Sequence, residues 1–533
     1  MSRVLIVGSG ASGVHCAATL LERGHDVLML DVGKERPEPV LPDADFDGLK
    51  ARLEDPAGYF LGPAGESVVY PGPTAKFYGF PPSKDYVFDL PPGFTSAPDG
   101  FDPVFSFAAG GLAEAWTGGV YALNDAELAD FPFGYSELEP HYRTVIRRIG
   151  ITARQDDLAR FTPWDDSYHE PLALDVHSAL LLDRYTRRRA RLQRRLGFYL
   201  GRSRVAVLRR EQDGRNPCDY LGRCLWGCPR ESLYAPSYTL RSLRKHPRFE
   251  YRAGLLVERF EYRDTRVTGV VARPLEGGPE QQYAADRYVL AAGTLNSSKL
   301  FLDSIYARTG ETHRLPGLMD NRQLMVPFMT LSMLGRPVET HSYQFHQVAL
   351  GLTRPAAEEY VHGQITALKA ASLHPVVQSM PLDLRSALSF FRLTHAALGV
   401  ANVWLHDRPR PGNVVTIRPR AGGGTDLVIR YPDVDDGALV DWTMARIRAA
   451  LRGLGALVPP GMARTLPKGA SIHYAGTVPM SRERRTFGCT AECRSHDFGN
   501  LYFADGASFP FLPAKNLTFT LMANACRIAE TLD

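Results

Sequence analysis

The first thirty-odd residues contain a group whose types and spacing serve a phosphate. Gly8, Gly10 and Gly13 read G-x-G-x-x-G, with Ala11 and Ser12 between them, and Asp31 closes the next apolar run. Glycines at this spacing allow a tight turn, bring the backbone close to a pyrophosphate, and let a helix pack on a strand. The first N–H groups of that helix then face the phosphates. Asp31 falls where a carboxylate would bind a ribose hydroxyl. The residues predict a dinucleotide, and they serve NAD and FAD alike.

A second group is cysteine. Cys218, Cys224 and Cys228 precede Pro229 in CDYLGRCLWGCP, a run similar to the ferredoxin pattern C-x2-C-x2-C-x3-C-P, but Leu221 stands where the second thiolate belongs. The missing ligand predicts a structural loop with buried thiols and no iron–sulfur centre. Three thiolates could still hold zinc with a ligand from elsewhere, but the missing ligand favours the structural loop, and no metal is expected. Cys489 and Cys493, spaced C-x3-C, carry no assignment by themselves. Seven cysteines in 533 residues are too few for a disulfide framework.

The elements that must position these groups follow from hydrophobic periodicity. Val4 to Val7 reads as a buried parallel strand, Ala11 to Glu22 as a helix, and Asp26 to Leu30 as a second strand. Arg287 to Ser304 repeats that grammar with a small-residue turn at Ala291 to Gly293. Residues 35 to 101 are rich in Pro, Gly and aromatics and read as an extended loop that covers something. Glu137 to Ile149 and Arg184 to Leu196 read as helices, the latter with a basic, solvated face. Phe249 to Ala272 alternates as paired strands turning near Asp264. From Leu315 to Pro467, strand-like pieces surround a helical insert, as in an antiparallel sheet forming a substrate wall. Ala387 to Val403, interrupted by Arg392 and His395, reads as one helix packed on the body.

The length predicts two intimately associated domains or one large enzyme core with a substrate-binding layer. A net charge of +4 on a nearly balanced chain implies neither a nucleic-acid partner nor an anionic membrane. No apolar run is long enough to span a bilayer. A first strand starting at about Arg3 leaves no room for a leader, so a cytoplasmic protein is expected. The arginine-rich composition fits a GC-rich bacterial source. His341 and His346, in HSYQFHQV, are candidates for a pocket wall.

Further motifs accompany these. AAGGLAEAWTGGVY (108–121), GYSELEPHY (134–142), VLAAGTLNSSKL (289–300), IHYAGTVPM (472–480) and NLYFADGASFP (500–510) lead to a closing Asn516 and a terminal helix. In order and spacing the chain resembles the glucose–methanol–choline oxidoreductases, which bind FAD and oxidise alcohols. The resemblance implies an α/β fold: a Rossmann-like FAD-binding domain built from discontinuous segments, plus a substrate domain with a mostly antiparallel sheet and covering helices. Residues 1–150, 205–314 and 468–533 would form the former, and 151–204 with 315–467 the latter.

The resemblance places His473 as catalytic base and Asn516 as its partner at the flavin. The chemistry agrees: hydride leaves a carbinol carbon more easily once an imidazole takes the hydroxyl proton, and an amide can hold the oxygen. Gly110 and Gly111 match the phosphate-side stretch, although Leu112 and Ala113 replace its usual serines. Val257 matches the position touching adenine, and Ala292, Gly293, Asp505 and Gly506 those along the diphosphate and ribityl chain. Ala115 stands about where some members carry a flavin-linking histidine, so FAD is expected to be non-covalent. Tyr343, His346, Gln347 and Trp404 would suit a sugar, glycoside or amino-sugar alcohol, in a tailoring step of bacterial specialised metabolism. The apolar insert Leu382 to Val400 would equally suit a lipid-like or terpenoid alcohol. A lyase or isomerase could use the same histidine. The electron acceptor, oxygen or another, and the oligomeric state are left open by the sequence.

Overall fold

The structure, a computed structural model, describes residues 2–36, 41–62, 81–369, 377, 380–432 and 435–532. At its centre lies a parallel five-stranded sheet in the order Leu501–Phe503, Arg287–Leu290, Arg3–Val7, Asp26–Leu30, Phe249–Arg252. The first strand alternates by the period of two that a pleated chain imposes. Val4 and Ile6 pack into the cluster that holds the helices Ala11–Glu22 and Thr518–Glu530. Leu5 and Val7 pack on the opposite side, with the hairpin Leu255–Arg263 and Arg266–Pro274. Burial on both faces explains why this strand reads as a continuous apolar run.

The second body is an antiparallel sheet whose core strands run Gln323–Thr330, Leu398–Trp404, Val361–Ala367, Val348–Leu352, Phe198–Arg202. Leu324, Val326, Phe328, Ile365 and Val403 turn one face onto the helices Val176–Leu196 and Gly437–Gly453. The alternate residues His362 and Gln364, with Trp404 paired to His362, occupy the other face. The α/β fold expected from the sequence, with a Rossmann-like sheet and a mostly antiparallel second sheet, is the fold observed.

Two readings of local structure change. Phe249–Arg252 is not part of the hairpin: it pairs in parallel with Asp26–Leu30 at the edge of the five-stranded sheet, and Gly254 with φ +76° turns the chain away. The stretch 387–403 is not one helix. The helix Leu384–Thr394, capped by Asp383, gives way to the central strand Leu398–Trp404, where alternation at Ala401 and Val403 suits a pleated face better than a helical one. The covering stretch holds the short helices Phe46–Arg52 and Pro56–Leu61, and its portions at 37–40 and 63–80 lie outside the described residues. Among the described residues no helix is long and apolar enough to cross a membrane.

Candidate active site

A cavity of about 680 Å³ opens at the carboxyl ends of the parallel strands, by Val7, Leu30 and Ala291, within the usual size of a cofactor pocket. Its floor is the glycine turn. An added Cβ would meet Ala291 O at 2.7 Å from Gly8, where φ is +99°, and Gly8 O at 2.0 Å from Gly13, so neither position has room for a side chain. At Gly10 and Gly293 a Cβ would meet nothing within 4 Å, because these glycines face the cavity.

Three helices begin at the cavity: Ala11–Glu22 behind Gly10, Thr294–Thr309 behind Gly293, and Thr518–Glu530 behind Leu517. In none does a side chain cap the N-terminus. Uncapped first-turn N–H groups are available to anionic oxygens. Asp31 and Asp505 also line the cavity. Burial raises each carboxyl to about 6, opposed by hydrogen bonds from Ser9 to Asp31 and from Ser297 to Asp505. Gly293 N donates to Asp505 Oδ2 at 3.0 Å, fixing the second glycine turn.

Of the residues singled out in the sequence, Gly8, Gly10, Ala11, Ser12, Gly111, Val257, Ala292, Gly506 and His473 all line this cavity. Gly13 lies beneath it. Gly110, in a left-handed turn at φ +94°, donates its N–H to Ser9 Oγ and so ties the second glycine stretch to the first. The glycine turns, the three uncapped helix N-termini, Asp31 and the size of the cavity fit a flavin dinucleotide. Ala115 is buried against Tyr86, Val87 and Ala108.

His473 enters from a loop between Gly469 and the short strand Tyr474–Ala475. Ile472 before it holds φ +64°, an outlier for a β-branched residue that costs about 1–3 kcal/mol. Ser471 Oγ accepts the His473 N–H at 3.0 Å and donates to Asp320 Oδ1 at 2.5 Å. Burial lowers the imidazole to about 4, so the ring is neutral over the ordinary pH range. Asn516 immediately precedes Leu517 and Thr518, which line the cavity. Its Oδ1 accepts from Gln364 Nε2 at 2.6 Å.

The polar face of the antiparallel sheet joins the two residues. The Trp404 ring lies 6.1 Å from His473, and His362 stacks on Trp404 at 6.1 Å. Two residues along the strand from His362 is Gln364, the partner of Asn516. His346 sits against the same corner, its Nε2 3.3 Å from Thr117 Oγ1, with burial lowering its pKa to about 3.

Tyr343 and Gln347 use their polar atoms inside the fold. The Tyr343 hydroxyl donates to Thr117 O at 2.9 Å, and the Gln347 amide joins Asp175 N to Tyr343 O. His341 is at the surface, paired with Asp45. Sequence reading missed Asn321, His362 and Gln364; the period-two spacing of His362 and Gln364 within an apolar strand was the available signal for the last two.

Among the described residues no group of three or more His, Cys, Asp or Glu is arranged to hold a metal. Cys218 and Cys224 pack against Val205, Val207 and Tyr343, and burial pushes the Cys218 thiol up to about 11. Cys489 and Cys493 are buried, the Cys489 thiol donating to Val478 O at 3.2 Å.

Residues 461–525, which contain His473 and Asn516, match the family model described as GMC oxidoreductase. Over 99 % of its length the chain is 24 % identical to paromamine 6'-oxidase of Streptomyces fradiae and covers 91 % of that protein. It is 24 % identical to 6'''-hydroxyparomomycin C oxidase of Streptomyces lividus, with 99 % and 91 % covered. To 2-methyl-1,2-propanediol dehydrogenase of Mycolicibacterium austroafricanum it is 22 % identical, with 99 % and 94 % covered. Among solved structures, pyridoxine 4-oxidase from Mesorbium loti superposes over 100 % of this chain and 99 % of its own, with a TM-score of 0.62 at 16 % identity, a likeness of fold. Through its closing segment and these full-length relatives the chain is similar to the GMC oxidoreductases, and it is an FAD-dependent alcohol oxidoreductase.

Proposed function

We propose that the protein oxidises an alcohol of a sugar, glycoside or amino sugar, with His473 as base and Asn516 holding the reacting oxygen. The reading rests on one observation: a neutral imidazole lines the cavity, and an oriented amide directly precedes the lining residues Leu517 and Thr518, both set against the polar face of the second sheet. Burial keeps the His473 ring unprotonated, so it can accept the hydroxyl proton. Gln364 occupies Asn516 Oδ1, which turns Asn516 Nδ2 outward as a donor to the substrate oxygen and to charge developing there.

Bound flavin would supply the two-electron acceptor, taking the carbinol hydride at N5 as the alcohol becomes a carbonyl. Gly8, Gly10, Ala11, Ser12 and Gly293 would hold its diphosphate, Asp31 a ribose hydroxyl, and Val257 the adenine. Asp505 and Gly506 would lie along the ribityl chain. Ala115 offers no linking side chain, which supports non-covalent binding.

On the polar face of the second sheet, beside His473, Trp404 Nε1 is buried without a hydrogen-bond partner in the protein. A flat indole with an unpaired N–H suits a hydroxylated ring, which offers an apolar face and hydrogen-bonding edges. Two relatives named for aminoglycoside substrates point the same way.

Anaerobic addition of paromamine, related aminoglycosides, simple sugars and 2-methyl-1,2-propanediol to the purified holoenzyme tests the reading. Persistent bleaching of the flavin by a sugar alcohol is expected. Bleaching only by terpenoid or lipid alcohols would refute the substrate class, and turnover without net bleaching would refute oxidation.

A further inference from the structure

The antiparallel pair Met319–Asp320 and Tyr474–Ala475 sets Asp320 opposite Tyr474. The next residue, Asn321, is thereby brought beside His473, although 152 residues separate them. Asn321 is 1 % exposed and belongs to no motif noted in the sequence.

Its amide nitrogen donates to Leu405 O at 2.8 Å and to Pro513 O at 3.0 Å. Both partners are backbone carbonyls, which only accept, and an amide nitrogen has two hydrogens to give. Both are therefore committed, and the amide cannot be turned over without setting its oxygen against two carbonyl oxygens. Oδ1 is left facing His473 Nδ1 at 3.0 Å. An amide oxygen has no hydrogen, so the hydrogen in that contact is carried by Nδ1. A neutral imidazole has one N–H, and Nε2 must then carry the lone pair.

We propose that Asn321 is a positioning residue that locks His473 in the Nδ1–H tautomer, so that Nε2 is the nitrogen that accepts the substrate's proton. The proposal rests on the reading of His473 as base. An amide suits this role better than a carboxylate: it fixes the ring without a charge that would stabilise imidazolium. The neighbouring carboxylate, Asp320, bonds to Ser471 and Gly469 N instead. Because Pro513 lies three residues before Asn516, the same side chain also ties the base to the loop carrying the other catalytic group.

The test is ¹⁵N NMR of the oxidised holoenzyme labelled at histidine. The His473 signals, one set among 15 histidines, are identified by their loss in His473→Gln. Two- and three-bond couplings then report which nitrogen carries the hydrogen. Wild type should show Nδ1–H. Asn321→Leu should show a mixture or the Nε2–H form, and flavin reduction should slow about 10- to 100-fold, the usual worth of an outer partner that orients a histidine. An Nε2–H ring in wild type, or an unchanged tautomer in Asn321→Leu, overturns the proposal while an inactive His473→Gln keeps the base. Unaltered flavin reduction in His473→Gln overturns the base and the role of Asn321 together.

Discussion

The sharpest consequence of burying His473 is how its activity responds to acid. An exposed imidazole titrates near 6.5, and burial lowers this one to about 4 because the charged form is excluded from an apolar surround. Catalysis needs the neutral form, so the rate should fall only when pH drops through about 4. At pH 5 a base titrating at about 4 is about 90 % neutral, whereas one titrating at 6.5 would be about 3 % neutral. Rapid anaerobic mixing of holoenzyme with saturating substrate reads flavin reduction directly, without product release. Between pH 8 and pH 5 the rate should stay within a factor of two, with flavin absorbance and far-UV circular dichroism confirming that the fold persists. His473→Ala should lower the rate about 10²- to 10⁴-fold across this range, the usual contribution of a general base, with the flavin still bound. A roughly thirtyfold decline centred near pH 6.5 would show that the working base is solvated. Full activity of His473→Ala would show that it is another residue.

Three further expectations concern neighbouring groups. Asn516→Ala should slow flavin reduction more mildly than His473→Ala, and Gln364→Leu should slow it about tenfold, because an amide with Oδ1 free no longer presents Nδ2 alone; the worth is that of one hydrogen bond, about 1–1.5 kcal/mol, measured in the same mixing experiment. Acid precipitation should release FAD, leaving a colourless pellet, since Ala115 cannot form a link; colour retained in the protein would refute this. Lys515 and Glu127 form a fully buried pair, the lysine also donating to Ala122 O and Phe161 O. Lys515→Met should therefore cost about 3–5 kcal/mol by urea denaturation, and Lys515→Met with Glu127→Leu should recover much of it.

The legible and illegible parts of the site divide by how local their causes are. Gly8, Gly10 and Gly13 declare themselves because one turn needs all three: a Cβ would strike backbone at Gly8 and Gly13, and Gly10 opens to the cavity. The hairpin around Asp264 was equally local, and that residue adopts the φ of +52° a tight turn requires. The stretch 387–403 misled because its apolar content fits a helix and a strand alike, and only pairing with Gln323–Thr330 and Val361–Ala367 decides. His473 and Asn516 were distinguished by family resemblance, since neither carries a local sign of its role. Asn321 and Gln364 had no such aid. Each acts through one hydrogen bond spanning 152 residues, and only the fold creates that proximity.

Burial alone does not make a base, as the three histidines on this wall show. His346, His362 and His473 are all held neutral by the same desolvation. His362 is fixed by Tyr360 Oη, 2.7 Å from its Nδ1, and packed edge-on against Tyr121, so its remaining nitrogen is closed in by rings. His346 faces Thr117 and lies at Gly119 beside Gln364 and Asn516, outside the cavity lining. His473 alone of the three lines the cavity into which Gly10, Gly293 and the three uncapped helices open. Neutrality makes each of them a capable proton acceptor, and placement favours His473 as the proposed base. His346→Gln should therefore alter substrate affinity more than the rate of flavin reduction at saturation, while His473→Gln should do the reverse. Titrating the reduction rate against substrate concentration separates the two effects, and a His346→Gln variant whose limiting rate falls a hundredfold with unchanged affinity would refute this division.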